Sequence, residues 1–389
     1  MTPPQPQRSG RLVVLVGLAV LLDTAFFTAI APLLPHLERE IGLSSAAAGF
    51  LVATYPIGVI VGVLPARAAA RRVGPKRTLL IGMALLFGSC VLFGIARDVV
   101  LLDLSRFVQG VSGSLTFAGG MAWVVAARRD RRGEVIGQAM AIALAGTLLG
   151  PIIGLIAHDV SQVAAFSLVA VAVAVVGGLL ARETEAGRVG LRGEPFRLTP
   201  PLTAGLAVLA VVGVAFGVLG VAVPLELADL GVSSVLIGGA FLVAAALQAV
   251  ASPFGGRLHD RCGPLLPLSL ALLGSACATM GPVVLAGAAP LIGALLLTSL
   301  TLGGSLAPSM AVVSEHTEIL RTTQTDSFLA INVIWAAGQI VGAWGTGAVL
   351  DSAGHKGPFV AISVMACLTL ACVMVVDRTW GFQMPQGSS

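Results

Sequence analysis

The sequence predicts an all-α integral membrane protein, with twelve spanning helices forming two six-helix bundles. Three observations carry that reading. Hydrophobic residues make up 56% of the 389 positions and charged residues only 11%, against roughly 25% charged in an ordinary soluble domain. Polar side chains are too few to coat a water-soluble globule of this size, which argues against a soluble enzyme, a nucleic-acid binder and a disordered scaffold. Second, charged and Gly/Pro-rich punctuation divides the chain into twelve apolar stretches, each near the ~20 residues that cross a bilayer as a helix. The stretches are continuous and lack the alternation of barrel strands, so helices are the spanning form. Third, with the N-terminus inside, nineteen of the 23 Lys and Arg residues fall on the cytoplasmic side. Only Arg39, Arg97 and Lys356 fall outside, and Arg106 lies within a span. That asymmetry follows the positive-inside rule and places both termini in the cytoplasm of a cell membrane. An odd number of spans would scramble it.

The first span, 12–35, follows the polar MTPPQPQRSGR and contains Asp23. It has no small-residue cleavage site, so it reads as a retained helix rather than a signal peptide. Span 46–66 carries Tyr55 and enters the basic loop RAAARRVGPKR, with Arg71, Arg72, Gly74 and Lys76. Spans 77–96 and 99–125 follow, the latter holding Asp103, Arg106, Gln109 and Gly110. Span 135–157 carries Gln138 and then Gly146, Gly150, Pro151 and Gly154; the short HDVS link leads to span 161–181. The longest polar link, RETEAGRVGLRGEPFRLTPP, separates six spans from six. The expected organisation is therefore an N-terminal bundle 1–181, a cytoplasmic linker 182–200 and a C-terminal bundle 201–389. In the second half, spans 201–225 and 235–256 (with Gln248) precede GGRLHDRCGP, read as a tight basic turn with Gly256, Asp260, Arg261 and Gly263. Spans 265–284, 287–312, 325–350 (with Asn332, Trp335 and Gln339) and 357–376 complete the chain.

The halves look duplicated. Gly74 corresponds to Gly263 at an offset of 189, and Gly146 and Gly150 to Gly338 and Gly342 at 192. Duplicated six-helix units support alternating access to a site near the bilayer midplane.

Charges within spans need an explanation, since one at mid-bilayer costs about 2.5 kcal/mol or more. Asp23 lies about eleven residues into its span, roughly 16 Å deep at helical rise, and its short side chain cannot snorkel. It should face an interior cavity, where a carboxylate can exchange a proton, bind a cation or do both in alternation. Arg106 lies nearer the outer end of its span, and Asp103, three residues earlier, shares its face; pairing would reduce the cost of both. Phe26 and Phe27 beside Asp23 suit a lipophilic cation. Tyr55, Gln138, Gln248, Asn332, Trp335 and Gln339 are the remaining candidate cavity-lining side chains. Glu226, Asp326 and Asp351 fall at span ends, where solvation accounts for them. The Gly146/Gly150/Gly154 stripe reads as a surface for close helix contact, bent by Pro151. Five dispersed cysteines and five dispersed histidines give neither a disulfide framework nor a metal motif.

Together these motifs resemble the major facilitator superfamily, in particular its twelve-span drug/proton antiporters, over essentially the whole chain. LLDTAFFTAIAPLLP (21–35) is similar to the first-span signature of that group, with its acid at Asp23. RFVQG (106–110) resembles the span-four motif, and the resemblance implies a role for Arg106 in proton coupling. GTLLGPIIG (146–154) resembles the span-five antiporter motif, which implies packing at an interdomain interface and exchange rather than uptake. The cytoplasmic loop motif G-x-x-x-D-R-x-G-R-K is altered in the N-terminal half, where Arg67 and Arg71 replace its glycine and aspartate. The C-terminal copy keeps Gly256, Asp260, Arg261 and Gly263. In the family that aspartate caps an interdomain contact; here Arg71 is expected to pair with Asp326 instead.

The resemblance implies a major facilitator fold and a proton-coupled exporter of small lipophilic or cationic molecules. It would act as a monomer in the lipid bilayer, with the proton as coupling ion and no other cofactor or metal. The alternatives are a symporter or facilitator of one metabolite, such as a sugar or amino acid, and a membrane enzyme. The sequence shows no GxSxG, no metal spacing and no Walker loop, which weighs against the enzyme and against ATP-driven pumping.

Overall fold

The computed structural model describes residues 6–127, 132–185, 197–319, 324–353 and 356–380. Among the described residues all regular structure is helical: α1 (Pro6–Ile41), α2 (Ser45–Arg72), α3 (Pro75–Ile95), α4 (Val99–Ala127), α5 (Arg132–Asp159), α6 (Gln162–Arg182), α7 (Pro200–Asp229), α8 (Ser234–Cys262), α9 (Leu265–Val284), α10 (Ala288–Ile319), α11 (Gln324–Ala353) and α12 (Lys356–Trp380). All twelve are long and apolar enough to cross a membrane. Each matches one expected span, three of them (α3, α6 and α10) falling one residue short at one end, and most run beyond it. The excess is greatest at the C-terminal ends of α1, α2, α8 and α10 and at the start of α1. α1 continues through Pro32 and Pro35 to Ile41, because a spanning helix tolerates proline when neighbouring groups re-satisfy the freed carbonyls.

The two basic loops are likewise more helical than expected. Arg67, Arg71 and Arg72 lie on the last turns of α2. Asp260 and Arg261 lie on the last turn of α8, not in a tight turn. Cations at a helix C-terminus complement its dipole, so these residues extend the helix rather than end it. The breaks come instead at Gly74 (φ 92°) and Gly263 (φ 74°), each followed by proline. Both glycines adopt the left-handed region that side chains disfavour, which gives their sequence correspondence a shared backbone geometry. Serine N-caps start α2, α6 and α8, with Ser44, Ser161 and Ser233 accepting from the amides of Ala47, Ala164 and Leu236.

The chain divides into two compact units, Met1–Leu191 and Arg192–Ser389. Within the first, α1 packs on α5, α2 on α4, and α3 on both α4 and α6. Within the second, α7 packs on α11, α8 on α10, and α9 on both α10 and α12. The pairings repeat with a displacement of six helices, as duplication predicts. The glycine stripes explain how closely α5 approaches α1, and α11 approaches α7. A β-carbon at Gly146 would lie 2.3 Å from the Leu21 carbonyl of α1, and one at Gly342 would lie 2.2 Å from the Val214 carbonyl of α7. In lipid, where apolar burial does not drive helices together, such backbone approach supplies much of the association. Phe26, Phe93 and Phe166 from α1, α3 and α6 form an aromatic cluster in the core of the first unit, with ring centroids 4.5–5.2 Å apart.

Candidate functional site

A polar chain crosses the interior of the first unit. Asp23, near the middle of α1, is only 6% exposed, and Arg106 and Gln109 on α4 are fully buried. The Tyr55 hydroxyl of α2 donates to Asp23 Oδ2 at 2.9 Å. The Gln109 side-chain amide donates to Asp23 Oδ1 at 3.3 Å and to the Asp23 backbone carbonyl at 3.1 Å. Arg106 Nη1 donates to Gln109 Oε1. Arg106 therefore reaches the carboxylate through Gln109.

The guanidinium has a second environment. Its central carbon lies 5.0 Å from the Tyr55 ring centroid, 5.6 Å from that of Phe27 and 5.7 Å from that of Phe26. Three aromatic faces partly replace the water lost on burial. Its Nε and Nη2 have no hydrogen-bond partner. The expected Asp103–Arg106 ion pair is not made: Arg106 bends toward Gln109 and the rings, and Asp103 Oδ1 is left without a hydrogen bond. Asp103 lies one turn nearer the helix end and is only half-buried, so a shared face does not bring the two charges together.

Two further features hold the chain in place. Three serines fasten α4 to its neighbours: Ser105 donates to the Ser89 carbonyl, Ser112 to that of Gly82 and Ser114 to that of Val59, at 2.7–3.0 Å. Gly113 supplies room, since a β-carbon there would lie 2.9 Å from Asp23 Oδ2 and 3.2 Å from the Tyr55 hydroxyl oxygen. Sequence reasoning missed Gly113. Its signal was present, because Arg106, Gln109 and Gly113 recur at i, i+3 and i+7, one face of a helix.

Of the expected cavity residues, Phe26, Phe27 and Tyr55 join this cluster. Phe27 stacks on Tyr55 at 4.7 Å, while Phe26 also belongs to the aromatic core. Gln138 is exposed on α5, below the level of Asp23, since Gly17 packs on Ala139 and Ile142 beside it. The others belong to the second unit. Gln248 on α8 is half-buried, and its backbone abuts Gly303 of α10. Asn332, Trp335 and Gln339 share a face of α11, where Gln339 is buried and its Oε1 has no hydrogen-bond partner. Glu226 was expected to be solvated at a span end. It is instead 8% exposed within α7, because that helix continues past it to Asp229.

The motif glycines of α5 face α1 of their own bundle. A β-carbon at Gly150 would meet Thr28 and the Ala25 carbonyl, and one at Gly154 the Ala29 carbonyl at 2.5 Å. Pro151 lies inside α5. At the loop between α2 and α3, Arg71 and Arg72 are exposed. Lys76 donates to the Ala181 and Glu183 carbonyls at 2.8 and 2.6 Å and so caps the end of α6. Gly256 is half-buried, and Asp260 and Arg261 are exposed. The side chains of Asp326, the expected partner of Arg71, and of Asp351 lie outside the described residues. Among the described residues no His, Cys, Asp and Glu cluster is arranged to hold a metal.

The description of the Major Facilitator Superfamily matches residues 16–317 and, overlapping, 205–380. The chain belongs to the major facilitator superfamily. The chain is similar to the multidrug resistance protein 1 of Bacillus subtilis, at 29% identity over 182 residues, which cover 44% of this chain and 46% of that protein. An uncharacterized MFS-type transporter, EfpA, of Mycobacterium tuberculosis is 30% identical over 144 residues, or 37% of this chain and 27% of that one. A probable vesicular acetylcholine transporter-A of Danio rerio is 27% identical over 177 residues, covering 40% and 34% respectively. Each match spans less than half of the relative's length. With twelve apolar helices and this family membership, the protein is a multi-pass membrane protein of the superfamily.

Proposed function

We propose that this protein is a proton-coupled exporter of small lipophilic or cationic molecules, working by alternating access in a cell membrane with both termini cytoplasmic. The observation that carries the reading is the buried Asp23 carboxyl at mid-span, held by Tyr55 and Gln109 beside three aromatic rings. A carboxylate at that depth is costly unless it is used or neutralised, and aromatic faces bind organic cations. Proton and substrate would occupy Asp23 in turn, and the half-cycle would be set by which of them neutralises it. Arg106 supplies a fixed positive charge one residue removed, through Gln109. The two halves, 1–181 and 201–389, would act as the moving bodies about the 182–200 linker, in a monomer. The proton is the coupling ion, and the scheme calls for no other cofactor. The names of the Bacillus and Danio relatives, one a multidrug resistance protein and one a probable vesicular acetylcholine transporter, agree with this substrate class.

The test uses purified full-length protein in liposomes with an imposed pH gradient and ethidium as the lipophilic cation. Gradient-driven ethidium movement that a protonophore collapses, and that Asp23→Asn abolishes, supports the proposal. Movement that ignores the gradient, or that survives Asp23→Asn unchanged, sinks it.

A further inference from the structure

We infer that the hydrogen-bond polarity of this site dictates which oxygen of Asp23 takes the proton, that the oxygen is Oδ2, and that Gln109 is the positioning residue that enforces the choice. The inference rests on the reading of Asp23 as the site of proton exchange.

The argument begins at Arg106. A guanidinium has only donors, so the Gln109 atom that meets Nη1 is its oxygen, Oε1. That contact settles the amide's orientation by chemistry. The other end of the amide, Nε2, is then committed to Asp23, where it donates to both Oδ1 and the backbone carbonyl. An amide NH₂ cannot accept. A proton placed on Oδ1 would therefore face a donor and break this contact, unless the amide turned over and presented its own NH₂ to the guanidinium. The first outcome leaves the new Oδ1–H facing a donor, and the second leaves the guanidinium facing one, at about 1–3 kcal/mol for each buried polar group left unpaired.

Oδ2 has a different partner. The Tyr55 hydroxyl donates to it in the ionised state, but a phenol oxygen also accepts, and rotation about one C–O bond exchanges the roles. On proton uptake Oδ2–H donates to Tyr55, while Oδ1 becomes the carbonyl oxygen and keeps its bond from Gln109. No backbone needs to move. The proton balance is simple: one proton enters from water, one O–H bond forms at Oδ2, and the carboxylate charge is neutralised. A β-carbon at Gly113 would lie 2.9 Å from Oδ2 and 3.2 Å from the Tyr55 hydroxyl oxygen, so the glycine keeps a side chain from pressing on the pair that exchanges roles. Arg106, Gln109, Asp23 and Tyr55 thus form a chain whose direction is fixed at one end and reversible at the other.

The experiment is acid-minus-neutral infrared difference spectroscopy on the full-length protein in lipid, without substrate, following the carboxylic acid C=O band. Asp23→Asn identifies the band by removing it. The expected result is that Gln109→Leu moves the band to higher wavenumber, because the C=O oxygen loses its donor, and that Tyr55→Phe moves it less. Gln109→Met, closer in length and equally without a donor, repeats the measurement should the leucine variant fail to elute as a single folded species. A larger move in Tyr55→Phe than in the Gln109 variants would place the proton on Oδ1 and overturn the inference; equal moves, or none, would also overturn it. A spectrum indifferent to Asp23→Asn would instead remove Asp23 as the site of proton exchange, so failure of the underlying reading is told apart from failure of this one.

Discussion

Replacing Gly150 with alanine tests how tightly α5 is bound to α1. The new β-carbon would lie 1.9 Å from Thr28 Oγ1, 2.7 Å from Thr28 Cβ and 2.8 Å from the Ala25 carbonyl oxygen. The hydroxyl could rotate away only by giving up its 2.9 Å bond to the Thr24 carbonyl. The Ala25 oxygen is backbone and cannot rotate, so reaching an ordinary 3.4 Å contact requires about 0.6 Å of helix separation along that line. Overpacking of this kind costs about 1–3 kcal/mol, and at about 2–4 °C per kcal/mol for a unit of this size the apparent melting temperature should fall by about 2–12 °C. Thermal unfolding of the purified protein in detergent measures it. Adding Thr28→Ala removes only the 1.9 Å contact, so the double variant should recover part of the loss, with measurable coupling between the sites. Gly178→Ala on α6 is the control: a β-carbon there meets nothing within 4 Å, and no loss is expected. If Gly150→Ala melted with the wild type, the close α1–α5 approach would be wrong.

Other substitutions separate transport from stability. Asp23→Asn should leave the fold intact and abolish gradient-driven ethidium movement in liposomes; retained coupling would exclude the carboxyl from the cycle. Gly113→Ala places a methyl 2.9 Å from Asp23 Oδ2 and should slow coupled transport at least about tenfold, equivalent to ~1.4 kcal/mol, with little change in melting temperature. A large fall in stability with normal transport would show that the glycine serves packing alone. Phe166→Ala removes a fully buried ring lying 4.5 Å from Phe93 and 4.9 Å from Phe26; a loss of about 3–5 kcal/mol is expected from the cavity it leaves, read as a lower melting temperature.

Composition and order of residues determined a good deal by themselves: twelve helices and their approximate limits, with Asp23 singled out as a candidate. Those features follow from partition between lipid and water, which acts on each segment independently, so a local reading recovers them. The same reading placed Glu226 in solvent and two loops in turns, because it cannot see a helix continuing where basic residues and prolines suggest an end. Only the tertiary structure decided the site. Tyr55 and Gln109 meet Asp23 across 32 and 86 residues of chain, and the choice of Gln109 over Asp103 as the partner of Arg106 depends on where three aromatic rings come to lie. Spacing along one helix specifies which side chains share a face, but the neighbour that face receives is set by packing between helices distant in sequence. Glycine shows the division most plainly: of 48 such residues, Gly113 and Gly150 matter for what another helix brings against them, and Gly178 does not.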